Sequence, residues 1–140
     1  NDPPHRFEAG TPHIAGAVGL GAACNWLAGL GMDAVAAHEA LVTQAIVDAL
    51  SLIPQVKLIG TPKQRASVVS FLVDGLHPHD LGTLLDRYGV AVRVGHHCAQ
   101  PAMQCFGVDA TVRASVGVYN TVEDAAVLAS ALQRIITLFG

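Results

Sequence analysis

The chain has 140 residues, of which 51% are hydrophobic and only 14% charged, enough apolar material to bury a real core in one domain. A net charge of -3, with Lys and Arg numbering 8 and scattered, leaves no basic footprint and argues against a nucleic-acid partner. No apolar run reaches a membrane span without a glycine or polar interruption, and the start lacks the charged-then-apolar order of a signal peptide, so a cytoplasmic protein with no membrane partner is expected.

The opening Asn1-Asp2-Pro3-Pro4-His5 reads as irregular, and Arg6-Phe7-Glu8-Ala9 as extended up to the punctuation Gly10-Thr11-Pro12. Residues 13–30 are small and apolar; the glycines at 16, 19 and 21 would each weaken an isolated helix by about 1 kcal/mol relative to alanine. A helix here is expected to be buried and closely packed. Its glycines would admit a neighbouring backbone, and it would expose apolar surface if its partner were lost. Asp33 is the predicted N-cap of a second helix, with Val35, Leu41, Val42, Ile46 and Leu50 at helical spacing, His38 on its flank as a surface residue and Pro54 beyond its end.

Short strands follow at 56–59 and 67–73. In the second, Val68, Val69, Phe71, Leu72 and Val73 run so continuously that both faces should be covered. Leu81, Leu84, Leu85 and Tyr88, behind His79-Asp80 and ahead of Gly89, mark a short amphipathic helix. A strand at 90–94, a short helix at 98–106, a strand at 111–116 and a final helix from Thr121 complete the order, the last with Glu123 and Asp124 in its first turn. The fold class is α/β: a two-layer domain with a small mixed sheet covered by helices.

Chemistry concentrates in Arg93-Val94-Gly95-His96-His97-Cys98. A thiol is a useful nucleophile only as thiolate, a form favoured by nearby positive charge and by a helix N-terminus, and Pro101 suits a first helical turn just beyond Cys98. The competing explanation is an inert packed cysteine beside a polar loop. Cys24, Cys98 and Cys105 are odd in number and match no zinc or haem spacing, so they are read as reduced thiols without a metal. Adjacent His96, His97 and Cys98 point apart and do not converge on one ion. Alternation puts Thr111, Arg113 and Ser115 on one face of their strand, and a guanidinium rising there wants an anion, a carboxylate suiting its fork, with an internal ion pair as the alternative. Thr11, ahead of a glycine-rich helix, is either a plain helix cap or a hydroxyl offered to a phosphate.

Four motifs in order, Arg6-Phe7-Glu8-Ala9-Gly10-Thr11-Pro12, Arg93-x-Gly95-His96-His97-Cys98-Ala99-x-Pro101, Arg113-Ala114-Ser115 and Tyr119-Asn120-Thr121, resemble the C-terminal part of a cysteine desulfurase. These are pyridoxal-phosphate enzymes of the class V aminotransferase type. Because Cys98 directly follows Gly-His-His, the sequence looks most like the group II, sulfur-mobilisation (SUF) branch. The resemblance implies the small C-terminal domain of a fold-type I pyridoxal-phosphate enzyme. Residues 1–12 would be an irregular lead-in, 13–54 two helices linking to a large domain, and 55–140 the small α/β domain with the cysteine. It implies L-cysteine as substrate, Cys98 as the sulfur-accepting nucleophile and Arg113 as the clamp on the substrate carboxylate. Arg93, His96 and His97 would wall the site, and Thr11 would reach the cofactor phosphate of the neighbouring subunit of a homodimer. The persulfide would pass to an acceptor protein of the SUF system for iron-sulfur cluster assembly.

The family's Schiff-base lysine has no match here, since Lys57 and Lys63 stand in other contexts. The chain is therefore expected to be a C-terminal fragment that does not turn over cysteine alone. A selenocysteine lyase, a stand-alone persulfide carrier or docking module, and a dimerisation domain without chemistry are the competing readings.

Overall fold

A computed structural model describes all 140 residues, which divide into two compact units, Asn1–Val35 and Ala36–Gly140. The N-terminal unit holds a short 3-10 turn, His5–Phe7, and helix α1, Ile14–Leu30. The imidazole of His13 caps α1, its Nδ1 accepting the Gly16 N–H at 2.7 Å, and Gly31, at φ 82°, ends it with a conformation that β-carbon-bearing residues resist. No residue of α1 is buried. The expected close packing of this helix is therefore absent from the chain, and Ile14, Val18, Leu20, Trp26 and Leu30 lie exposed. Helix α2, Met32–Ser51, begins one residue before Asp33, which sits in its first turn instead of capping it.

In the C-terminal unit α2 turns Val42, Ile46 and Leu50 inward at four-residue spacing, one face of a helix. Strands β1 (Val56–Ile59), β2 (Val68–Val73), β3 (Arg93–Gly95) and β4 (Thr111–Ser115) form one sheet in the order β1-β2-β4-β3. Every pairing is antiparallel, so the sheet is not mixed; helix α3, Pro78–Arg87, carries the chain from β2 to the outer strand β3, and helix α4, Gln100–Phe106, returns it to β4 between the two. Strand β2 buries Val69, Phe71 and Val73 while Val68, Ser70 and Leu72 are half-exposed, which makes its second face only partly covered. β4 alternates as expected, with Val112 and Ala114 in the core. The core joins these side chains to Ile46 and Leu50 of α2, Leu81 and Leu85 of α3, and Leu128, Leu132 and Ile135 of helix α5, Val122–Phe139.

Polar contacts secure the connections around this core. Ser67 Oγ donates to Glu39 Oε2 at 2.5 Å, joining α2 to the approach to β2. His38, expected at the surface, is instead half-buried with Nε2 2.8 Å from the carbonyl of Asn120. Asp124 accepts the Thr121 N–H and the Asn120 side-chain amide, each at 3.0 Å, at the start of α5. These bonds hold its carboxyl below the usual aspartate range.

A left-handed turn beside two arginines

Strand β3 is the outer strand next to β4, and its register sets Arg93 directly opposite Arg113, and Gly95 opposite Thr111. Like charges facing each other across a ladder repel. An anion between them would remove that penalty. Arg113 is half-buried, and its Nε is fully buried with no hydrogen-bond partner; the internal ion pair that would have explained this side chain does not satisfy that nitrogen. A buried donor left unpaired is unfavourable by about 1–3 kcal/mol, a cost that an acceptor arriving from outside would remove.

Beyond Gly95, itself at φ 127°, His97 and Cys98 both adopt φ 55°. Two consecutive side-chain-bearing residues in the left-handed region are strained by roughly 1–2 kcal/mol each. The turn is held by the Cys98 N–H, which donates to His96 Nδ1 at 3.1 Å, and by the Ala99 N–H, which donates to the His96 carbonyl at 2.9 Å. The left-handed backbone keeps Cys98 out of α4, which starts at Gln100 with Ala99 as its cap and Pro101 in its first turn. Cys98 therefore stands two residues ahead of the helix instead of at its head, with its side chain exposed.

The imidazole of His97 turns the other way, back toward β4. Its Nε2 lies 3.0 Å from Thr111 Oγ1, and its Nδ1 is buried without a partner. Burial and then the positive charge of Arg113, with smaller contributions from Arg93 and His96, push its pKa below the ordinary histidine value, against a hydrogen bond at Thr111 that pulls the other way. The turn after β3 thus joins an exposed thiol to a half-buried imidazole biased toward neutrality, and the strands beside it carry two arginines in register. No group of three or more His, Cys, Asp or Glu side chains lies close enough to hold a metal ion.

Sequence reasoning gathered Arg93, His96, His97, Cys98 and Arg113 in this site but missed Thr111 as a partner; its place on the Arg113 face was the available signal. Thr11 lies exposed in the N-terminal unit, in the bend after Gly10. Pyridoxal phosphate needs an amine for its aldehyde, and the residues here do not fit it. Lys57 is exposed on β1, the opposite edge of the sheet from β3, and Lys63 is exposed in the loop that follows.

The sequence model of the aminotransferase class-V family matches residues 1–128. Among curated relatives, a "Probable cysteine desulfurase" of Streptomyces coelicolor is 45% identical over 98% of this chain and 33% of its own length. "Probable cysteine desulfurase 2" of Mycobacterium leprae is 50% identical over 98% of this chain and 33% of its own. The crystal structure of the cysteine desulfurase CsdA (S-sulfonic acid) from Escherichia coli superposes with a TM-score of 0.90 at 36% identity, covering 100% of this chain and 35% of that one. The chain thus spans about a third of the length of the relatives it matches. With the family's sequence pattern running through nine-tenths of its residues and a closely matching solved backbone beneath them, this chain belongs to the class-V aminotransferase family.

Proposed function

We propose that this chain is the thiol-bearing, C-terminal part of a cysteine desulfurase of the SUF type. The net chemistry is the conversion of L-cysteine and the Cys98 thiol into L-alanine and a Cys98 persulfide: the substrate's carbon-sulfur bond breaks, a sulfur-sulfur bond forms at Sγ, and no external oxidant or reductant is consumed. Arg113 takes the substrate carboxylate, with Arg93 and His97 beside it, and the exposed position of Cys98 suits delivery of the persulfide to an acceptor protein for iron-sulfur assembly. The observation that carries this reading is the juxtaposition of an exposed, strained Cys98 turn with the buried, unpartnered Arg113 Nε.

The pyridoxal phosphate and its lysine belong to the part of the parent outside this chain. In the cytoplasmic homodimer, Thr11 offers its hydroxyl to the cofactor phosphate of the neighbouring subunit. The test is Cys98→Ser in the full-length parent. Alanine and sulfide formation are expected to fall to background while cofactor absorbance is unchanged; undiminished turnover would sink the assignment.

A further inference from the structure

His96 closes the Cys98 turn twice over. Its carbonyl accepts the Ala99 N–H at 2.9 Å, and its ring Nδ1 accepts the Cys98 N–H at 3.1 Å. A backbone N–H can only donate, so the nitrogen that receives it carries a lone pair and no hydrogen. The one hydrogen of a neutral ring is then on Nε2. The donor alone fixes the tautomer.

Nδ1 of histidine stands at the same covalent distance from the backbone as the side-chain oxygen of asparagine, which accepts the N–H two residues on in an Asx turn. His96 reproduces that arrangement, with the acceptor at 96 and the donor at 98. The imidazole serves in the same way elsewhere in the chain: His13 Nδ1 accepts the Gly16 N–H at the head of α1, and His77 Nδ1 the His79 N–H at the head of α3. Those two cap helices. The bond from His96 instead spans His97 and reaches Cys98, the pair held at φ 55°, two positions before α4 begins at Gln100. Without the ring, the Cys98 N–H loses the acceptor that holds it in this strained conformation.

We infer that His96 is a positioning residue, its bare Nδ1 serving as the Asx-type acceptor that keeps Cys98 in the left-handed turn and outside α4. The demand on position 96 is a hydrogen-bond acceptor at the δ position, not an imidazole as such. Asparagine meets it and leucine does not. The link from this turn to sulfur transfer rests on the desulfurase reading; the hydrogen bond and the tautomer do not.

The direct experiment is nitrogen NMR of the ¹⁵N-labelled chain, with neither cysteine nor cofactor present, at a pH where the His96 ring is neutral. The ring proton is expected on Nε2. The Cys98 amide should exchange with solvent more slowly than in His96→Leu, and His96→Asn should restore the slow exchange. A proton on Nδ1 in the unaltered chain overturns the inference, whether or not any variant folds, and so does a Cys98 amide that exchanges equally fast in all three chains. In the full-length parent, His96→Leu is expected to lower kcat for cysteine about tenfold, the size of one lost hydrogen bond. KM should change little, because the bond acts on the nucleophile and not on the substrate, and His96→Asn should recover most of the lost kcat. Full kcat in His96→Leu, or a His96→Asn as slow as His96→Leu, overturns the positioning role. If Cys98→Ser also retains turnover, it is the desulfurase reading that has failed, and the ring and amide signals still judge the turn.

Discussion

Strain at Cys98 is a property of a single backbone angle, and it separates function from stability at that position. At φ 55° a residue with a β-carbon is disfavoured by about 1–2 kcal/mol, whereas glycine is not. Glycine also loses about 0.5–1 kcal/mol through its freer unfolded chain. Cys98→Gly is therefore expected to be more stable than Cys98→Ala by up to about 1 kcal/mol, which paired urea unfolding curves would measure; an alanine variant of equal or greater stability would mean that the turn is relaxed. His97 supplies a pH dependence with a definite sign. Its pKa in the folded chain is lowered, so the unfolded chain binds the proton more readily. Stability is fully present above the ordinary histidine pKa and declines as pH falls through it toward the folded value. Replacing His97 with Asn should remove that part of the acid sensitivity, read as a flatter midpoint-against-pH curve below the ordinary histidine pKa of about 6.5. The residue types of this site were legible in the sequence because chemistry announces itself in types: Arg, His and Cys in one run, Arg113 on an alternating strand. The φ values of His97 and Cys98 were not, since histidine, though enriched in the left-handed region, adopts it only in a small minority of cases and cysteine carries no such signal. Nor was the bond from His38 to the carbonyl of Asn120, made across 82 positions of chain.

At the scale of elements, α3 and β3 approach at Gly82, where a β-carbon would lie 2.5 Å from Val94 Cγ2. Valine is stiff about χ1 and cannot swing aside. Gly82→Ala should therefore push β3 outward and destabilise the fold by about 1–3 kcal/mol despite alanine's better helix propensity. It should also loosen the Arg93–Arg113 register, visible as faster amide exchange in β3; a neutral or stabilising outcome in thermal melts would show that the contact yields freely. Helix positions were readable from periodicity, and α5 begins where Thr121 and the acids of its first turn place it. Strand direction was not readable: the alternation of strands and short helices is compatible with either hand of pairing, and only the register shows that all pairs run antiparallel. The start of β3 at Arg93, later than the apolar run suggests, follows from Val90 and Val92 packing against the core from a connection instead of from the ladder.

On the scale of the whole molecule, α1 dominates the behaviour of this chain in isolation. It is apolar around its circumference and carries Val18, Leu20 and Trp26 into solvent, the pattern of a helix meant to be surrounded. Single exposed apolar residues are ordinary, but a whole helix of them is an association surface. The isolated chain is expected to self-associate as its concentration rises, in light scattering, with Trp26 emission shifting to the blue. Leu20→Glu should hold it nearer to monomer, and an unaltered chain that stays monomeric with red-shifted emission would refute this. The sequence foretold an all-round apolar helix but not its surroundings, because composition says how much contact a segment wants and not which residues provide it.

The β1 edge of the sheet governs what kind of assembly that association produces. Its strand, Val56–Ile59, is only four residues long, holds exposed Lys57, and lies between Pro54 and Pro62. A brief strand bearing a cation, with prolines close to both ends, is a poor template for extending a ladder into a neighbouring molecule. Association of crowded copies is therefore expected to run through the apolar surface of α1 and not through extension of the β1 ladder.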